Sequence, residues 1–337
     1  MASFWFDCIN MISRLKYNPG LDSLTEKELK LLDKASDSIR TFVKKSPKIN
    51  KSDFAPRDAH ATTYSVVKGT FKVYEEFEGK AIFPTEKLDC IIRISHAHMK
   101  LMSQKKTIPA YGFSVKLYNE DKTIANFPMV NFPLFPIVNV SRFLKLFISI
   151  NDYFAGNFFR KLFSSLRIFK SFISIIPNTF NFSFQNQVVK FLKRWNHFIL
   201  SFDYHSIGVY KLGDDLVKLK LSPVGVNHKT QDDRIDLSIE NYLKNNIYEL
   251  ELCVQYCYNL KDQPVNQLNK MWKKSKFVPL GNIQITELLD KNNMENELLS
   301  FNPFDNIPEL QPFGKIQKLR DKAYKTSLET RTKINLK

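Results

Sequence analysis

The sequence is poor in cysteine. It has four, Cys8, Cys90, Cys253 and Cys257, with no CxxC pair among them. Their scatter excludes a disulfide framework and points to reduced, buried thiols in a cytosolic protein. Cys253 and Cys257 would share a face only on a helix, and Leu-Glu-Leu-Cys-Val-Gln-Tyr-Cys-Tyr around them alternates like a strand, so no metal site is expected there. No run of eighteen apolar residues occurs, so no membrane-spanning helix is expected. Met-Ala-Ser-Phe-Trp-Phe-Asp-Cys at the start lacks the basic region and long apolar core of a secretory signal. Acid is in deficit: 34 Asp and Glu face 50 Lys and Arg, a net charge of +16. That excess calls for an anionic partner: nucleic acid, a membrane surface or an anionic cofactor. No nucleic-acid motif accompanies it, so no nucleic-acid partner is expected. Glycine is scarce too, at 10 residues, and phenylalanine is plentiful, at 29. So many rings suit either a plain core or the lining around a large flat apolar ligand.

Residues 1–50 read as an N-terminal helical arm. Thr25-Glu-Lys-Glu28 forms a capping box ahead of Leu29, Leu31, Leu32 and Ile39. The remainder, 51–337, reads as one α+β domain. Val66–Val73 is β-branched and alternating, a strand bent at Gly69. Just before it stand Arg57, Ala59 and His60; alone, His60 reads as a hydrogen-bonded histidine at a strand entrance. Leu88–Ser95 is a second strand, and Arg93 inside it needs a partner or a solvent-facing position. Tyr111–Asp121 is a strand running into an Asn-Glu-Asp turn. Prolines then break the pattern, so Met129–Phe143 reads as a loop. Tyr204–Pro223 gives two strands about a Gly-Asp turn, Tyr248–Tyr258 alternates again, and Lys276–Ile285 is the last long strand.

Residues 142–200 form a divergent amphipathic helical insert. Phe143, Leu146, Phe147, Phe158, Phe159, Leu162, Phe163, Leu166 and Phe169 recur at helical spacing, with Arg142, Lys145, Arg160, Lys161, Arg167 and Lys170 between them. Ordinary helices facing a core are one reading. A basic amphipathic surface on anionic lipid is the other.

The last stretch, Lys318–Asn335, has no Gly or Pro inside it and reads as a helix. Arg320 and Tyr324 lie one turn apart on one face, and Arg331 returns to that face two turns after Tyr324. A nearby guanidinium favours a phenolate, which is a hard anionic ligand suited to ferric iron.

These segments together resemble the catalases. Arg57-Asp-Ala-His60-Ala is similar to the catalase Arg-x-x-His-Ala motif, and Ile-x-x-Arg93-x-Ser95 to its next strand. Gly112-Phe-Ser-Val-Lys-Leu-Tyr matches a further strand, Asn131-Phe-Pro-Leu-Phe the distal-asparagine loop, and Arg320–Arg331 the haem-ligand helix. Asn126 also precedes Phe-Pro, but the distance to Phe143 fits Asn131. The resemblance implies an antiparallel β-barrel with surrounding helices and a buried haem b. It makes Tyr324 the iron ligand, kept ionised by Arg320, and Phe143 a ring stacked on the porphyrin. Arg57, Arg93 and Arg331 would neutralise the propionates, His60 would be the distal base, Ser95 its orienter and Asn131 a peroxide-orienting amide. The implied substrate is hydrogen peroxide. Organic or lipid hydroperoxides are the alternative, and a catalytically silent haem-binding or membrane-surface protein is another. Where catalases carry valine before the histidine and the related allene oxide synthases threonine, this chain has Ala59, which lacks the hydroxyl. A cytoplasmic chain, able to lie on a membrane or to form a homo-oligomer, is the expectation.

Overall fold

The computed structural model describes residues 13–137, 139–173, 176–227 and 230–337; Cys8 and the start of the chain lie outside them. In chain order the strands are β1 (Thr63–Val73), β2 (Lys87–His96), β3 (Tyr111–Asn119), β4 (Lys122–Val130), β5 (Tyr204–His205), β6 (Val209–Leu212), β7 (Asp215–Val224), β8 (Glu249–Tyr256), β9 (Phe277–Leu289) and β10 (Pro312–Phe313). The helices are α1 (Glu26–Asn50), α2 (Val140–Ala155), α3 (Phe158–Ile173), α4 (Phe182–Lys193), α5 (Ile235–Asn245), α6 (Met294–Leu298) and α7 (Lys315–Asn335).

Pairing runs β7-β5-β4-β3-β2-β1-β9-β8, and β8 pairs back onto β7, so eight antiparallel strands close into a barrel. Closure leaves the ring without a free edge, and β6 and β10 add on beside β7. Alternation decides what fills it. Leu88, Cys90, Ile92 and Ile94 of β2, Phe113, Val115 and Leu117 of β3, and Leu250, Leu252 and Val254 of β8 are buried in one apolar cluster. Side chains of opposite parity face outward. That parity puts Arg93 and Ser95 outside the barrel, where both are nevertheless buried. The bend at Gly69 is a register shift between Lys68 and Gly69 against β9. A Cβ on Gly69 would sit 2.4 Å from the Gln284 carbonyl oxygen, so only glycine lets the strands approach there.

The helical arm begins later than the sequence suggests. Residues 13–25 carry an isolated bridge from Lys16 to Asp215 and a short 3-10 turn, Pro19–Leu21, and α1 starts at Glu26 behind the Thr25 cap. The Thr25 hydroxyl accepts from the Glu28 amide while the Glu28 carboxylate accepts from the Thr25 amide, a complete capping box. Leu32 and Ala35 of α1 then pack with Val140 and Leu144 of α2 and Leu319 of α7.

Met129–Phe143 differs from the loop reading. Met129 and Val130 end β4, and Phe143 already lies in the first turn of α2. The Asn139 side chain accepts from the Arg142 amide and so starts that helix before the phenylalanine.

Candidate functional site: a cavity between barrel and helices

A cavity of about 510 Å³ lies between the outer face of β2–β4 and helices α1, α2 and α7. Eight residues singled out from the sequence line it: Arg57, His60, Arg93, Asn131, Phe143, Arg320, Tyr324 and Arg331. Ser95 stands behind them and touches His60. They come from separate segments, so the fold, not local sequence, brings them together.

His60 sits at a left-handed backbone position, φ 54°, just ahead of β1. Its Nδ1 is 3.2 Å from Ser95 Oγ, and Ser95 Oγ is 3.4 Å from the Gly112 carbonyl oxygen. With the serine hydroxyl donated to that carbonyl, the imidazole carries its proton on Nδ1 and Nε2 keeps its lone pair. Burial, reinforced by the Arg93 and Arg320 charges, pulls the imidazole pKa down to about 3, so the ring is neutral. Gly112 makes this arrangement possible. A Cβ there would lie 2.3 Å from His60 Nδ1 and 2.8 Å from Ser95 Oγ.

Arg57, Arg93 and Arg331 are all buried. Arg93 donates to Thr63 Oγ1 at 2.8 Å and to the His60 carbonyl at 2.7 Å, both neutral acceptors. Arg57 and Arg331 converge on Glu297, with 3.6 and 3.5 Å ion pairs to one carboxylate oxygen. The Nε atoms of Arg57 and Arg331 are buried without a hydrogen-bond partner. Burial, with the Arg57 charge nearby, lowers Arg93 and Arg331 to about 9. Asp58, also buried, is pushed upward by desolvation, against Ser327 and the nearby Arg331 and Arg57 charges. Two of the three guanidiniums therefore pair with Glu297, Arg93 has hydrogen bonds only to neutral acceptors, and with Asp58 two carboxyl groups stand against three positive charges.

α7 supplies the other wall. Gln317, Arg320, Tyr324, Ser327 and Arg331 recur at spacings of three and four and all line the cavity. Arg320 donates to the Tyr324 hydroxyl oxygen at 3.2 Å and to Gln317 Oε1 at 2.9 Å. Gln317 in turn donates to the Val209 carbonyl at 3.1 Å, tying the chain of contacts to β6. Burial opposes the Arg320 charge, yet Tyr324 and Tyr210 beside it leave its pKa raised.

Asn131 lines the cavity with its amide partly spent. Its Oδ1 accepts from the Tyr111 amide at 2.9 Å and its Nδ2 donates to the Pro109 carbonyl at 2.7 Å. One of its two N–H bonds pins the backbone. Asn126, the other asparagine before Phe-Pro, is fully buried in β4 and bonds the Asn302 carbonyl. Phe143 packs edge-on to Phe135 at 5.3 Å and stacks on Phe147 at 6.0 Å. His96 bonds Thr107 and the Ile108 carbonyl and does not line the cavity.

Sequence reasoning missed Glu297, Gln317, Thr63 and Asp58. Asp58 stood inside the Arg57–His60 motif, and Gln317 one turn before Arg320. Glu297 had no signal, because only the tertiary fold brings α6 to the arginines.

No protein-family model matches the chain, and no curated protein matches it. Solved structures do. A fungal catalase superposes with a TM-score of 0.60 at 17% identity, over 95% of this chain and 65% of its own. Catalase A from Saccharomyces cerevisiae gives 0.61 at 17%, over 95% and 68%. A bacterial catalase gives 0.60 at 13%, over 96% and 64%. This chain thus spans about two thirds of the length of these catalases. At such identities the likeness concerns architecture, and the architecture of this chain is the catalase fold.

Proposed function

We propose that this chain holds haem in the cavity and breaks down hydrogen peroxide. The observation that carries the reading is the charge of the cradle. Arg57 and Arg331 are buried about the Glu297 carboxylate and each keeps an unpartnered Nε, while Arg93 is buried near them with hydrogen bonds only to neutral acceptors. Arg57, Arg93 and Arg331 would hold the two carboxylates of a planar apolar ligand, and Phe143 would offer it an apolar contact. Tyr324 offers the oxygen ligand for iron, and Arg320 holds positive charge against it. Ferric haem, when bound, supplies the Lewis acid and the redox chemistry for cleaving an O–O bond.

The chain's own part is proton handling and positioning. Neutral His60 receives a peroxide proton at Nε2 and returns it to the departing oxygen, base then acid. Ser95 holds the ring in the tautomer that leaves Nε2 open. Asn131 keeps one N–H for an oxygen in the cavity, while its other contacts fix its place. Gln317 and Arg320 hold Tyr324 against rotation. Phe132, Phe135, Phe143 and Phe147 keep the space apolar and limit water.

The test is the absorption spectrum of the purified protein after haem addition, then oxygen release on adding hydrogen peroxide. A ferric Soret band that changes in Tyr324→Phe supports the ligand role. An unchanged spectrum in that variant removes it. His60→Ala should keep the haem and lose roughly a hundred-fold or more in oxygen release, as expected for a general base.

A further inference from the structure

α2 and α3 are both amphipathic, and they turn opposite ways. α2 buries Val140 and Leu144 in the core, as an ordinary helix does. α3 is inverted: among its described side chains Ser164 is the buried one, at 2% exposure, while Phe158, Phe159, Phe163 and Phe169 stand 75, 68, 61 and 69% exposed. Leu162, Leu166 and Ile173 continue that outer face at 52, 54 and 55%. At 100° per residue these apolar positions fill an arc of about 140°. Arg160 and Arg167 border the arc on one side and Lys161 on the other, with Lys170 inside it. The chain past α3 keeps the character, with Phe180 and Phe182 at 86 and 81% exposure. Contiguous aromatic surface of this kind marks an interaction site.

Charge selects the partner. From Tyr153 to Phe202 there is no Asp or Glu, while Arg160, Lys161, Arg167, Lys170, Lys190, Lys193 and Arg194 are all basic. Among the described residues, no ion pair neutralises the four cations of α3. A second copy of the chain would bring an identical set of cations against them, since a two-fold contact joins like to like. A bilayer with anionic headgroups satisfies both properties: acyl chains for the rings, and phosphates for the long basic side chains at the rims. No helix among the described residues is long and apolar enough to cross a membrane. α3, at 16 residues, has the length and polarity of a helix lying in the interface.

We propose that α3 and the segment after it dock the protein on an anionic lipid surface, with the α3 axis in the membrane plane. Phe191 of α4 lines the cavity, so the docked segment adjoins the site. The docking itself is independent of haem.

The test is flotation of the full chain with phosphatidylcholine vesicles, with and without phosphatidylserine. Binding should require phosphatidylserine and fall as salt rises, because the charged contacts are screened. Phe159→Ser with Phe163→Ser should weaken it at least ten-fold without lowering the melting temperature, since both rings already face solvent. Phe163→Trp should shift its emission to the blue on anionic vesicles. No vesicle binding, binding unaffected by the serine pair, or an unshifted emission overturns the proposal. So does concentration-dependent self-association that the serine pair abolishes, which would make the face a contact between copies.

Discussion

Gly112 decides the geometry of His60 without any side chain of its own. In Gly112→Ala the new Cβ overlaps His60 Nδ1 and Ser95 Oγ, and the imidazole, at the end of a rotatable side chain, gives way. Haem uptake should then persist while peroxide turnover falls at least ten-fold; unchanged turnover would mean the ring position is not critical. The same imidazole also shapes the acid response. Its folded pKa, about 3, lies below the ordinary 6.5. Between those values the unfolded chain binds a proton that the folded one does not, so stability falls as pH drops through that window. His60→Gln lacks this proton uptake. Relative to wild type, its melting temperature should be higher at pH 5 than at pH 8. An equal difference at both pH values would show that His60 titrates normally. At this scale the sequence was informative where chemistry is local, as in the Arg57–His60 pair, and silent about Gly112's role, because a missing Cβ shows its purpose only beside its neighbours.

Among the elements, α7 is the one whose polar face polarity alone does not explain. Ile316, Leu319, Ala323 and Ile334 give it an apolar side that packs on α1 and α2, and polarity alone would leave the stripe of Gln, Arg, Tyr, Ser and Arg to solvent. The fold buries that stripe because the cavity, not water, lies opposite. α3 is the converse, an apolar stripe left outside. Polarity alone therefore fails twice, each time where the face meets something other than protein core. α1, by contrast, is legible from its cap onward. Glu28, part of the capping box, also pairs with Lys315 at 3.3 Å, which clamps α1 to the first turn of α7. The Thr25 contacts lower the Glu28 carboxyl against its desolvation. Thr25→Ala should cost about 1 kcal/mol of unfolding free energy, readable in urea titration. No loss would mean that the α1 start is held by its packing on α2 and α7 alone.

Across the whole molecule, the alternating strands β1, β2, β3, β8 and β9 were readable, whereas the nine-residue β4 was not, and the barrel itself came from the catalase resemblance. The link that closes it was not legible either, because Tyr204–His205 reads as the start of a longer strand, while the fold makes it the two-residue β5 that joins β4 to β7. The site inherits its cost from that architecture. The outer barrel wall and α7 hold three guanidiniums with little negative charge among them, and burying such charge is unfavourable without a partner. Stability and ligand affinity should therefore oppose each other at Arg93, which has hydrogen bonds only to neutral acceptors. Arg93→Met removes a buried charge and its repulsion with Arg57, so the haem-free protein should melt higher, by a gain of about 1–4 kcal/mol. Wild type should gain about 2.7 kcal/mol when free haem reaches a hundred times its dissociation constant. Arg93→Met should gain less at the same concentration, because its haem dissociation constant is larger. Melting curves of both proteins with and without haem separate the two effects. A variant less stable without haem would show that the bonds to Thr63 and the His60 carbonyl outweigh the buried charge. A variant stabilised by haem as much as wild type would remove Arg93 from the ligand's carboxylates.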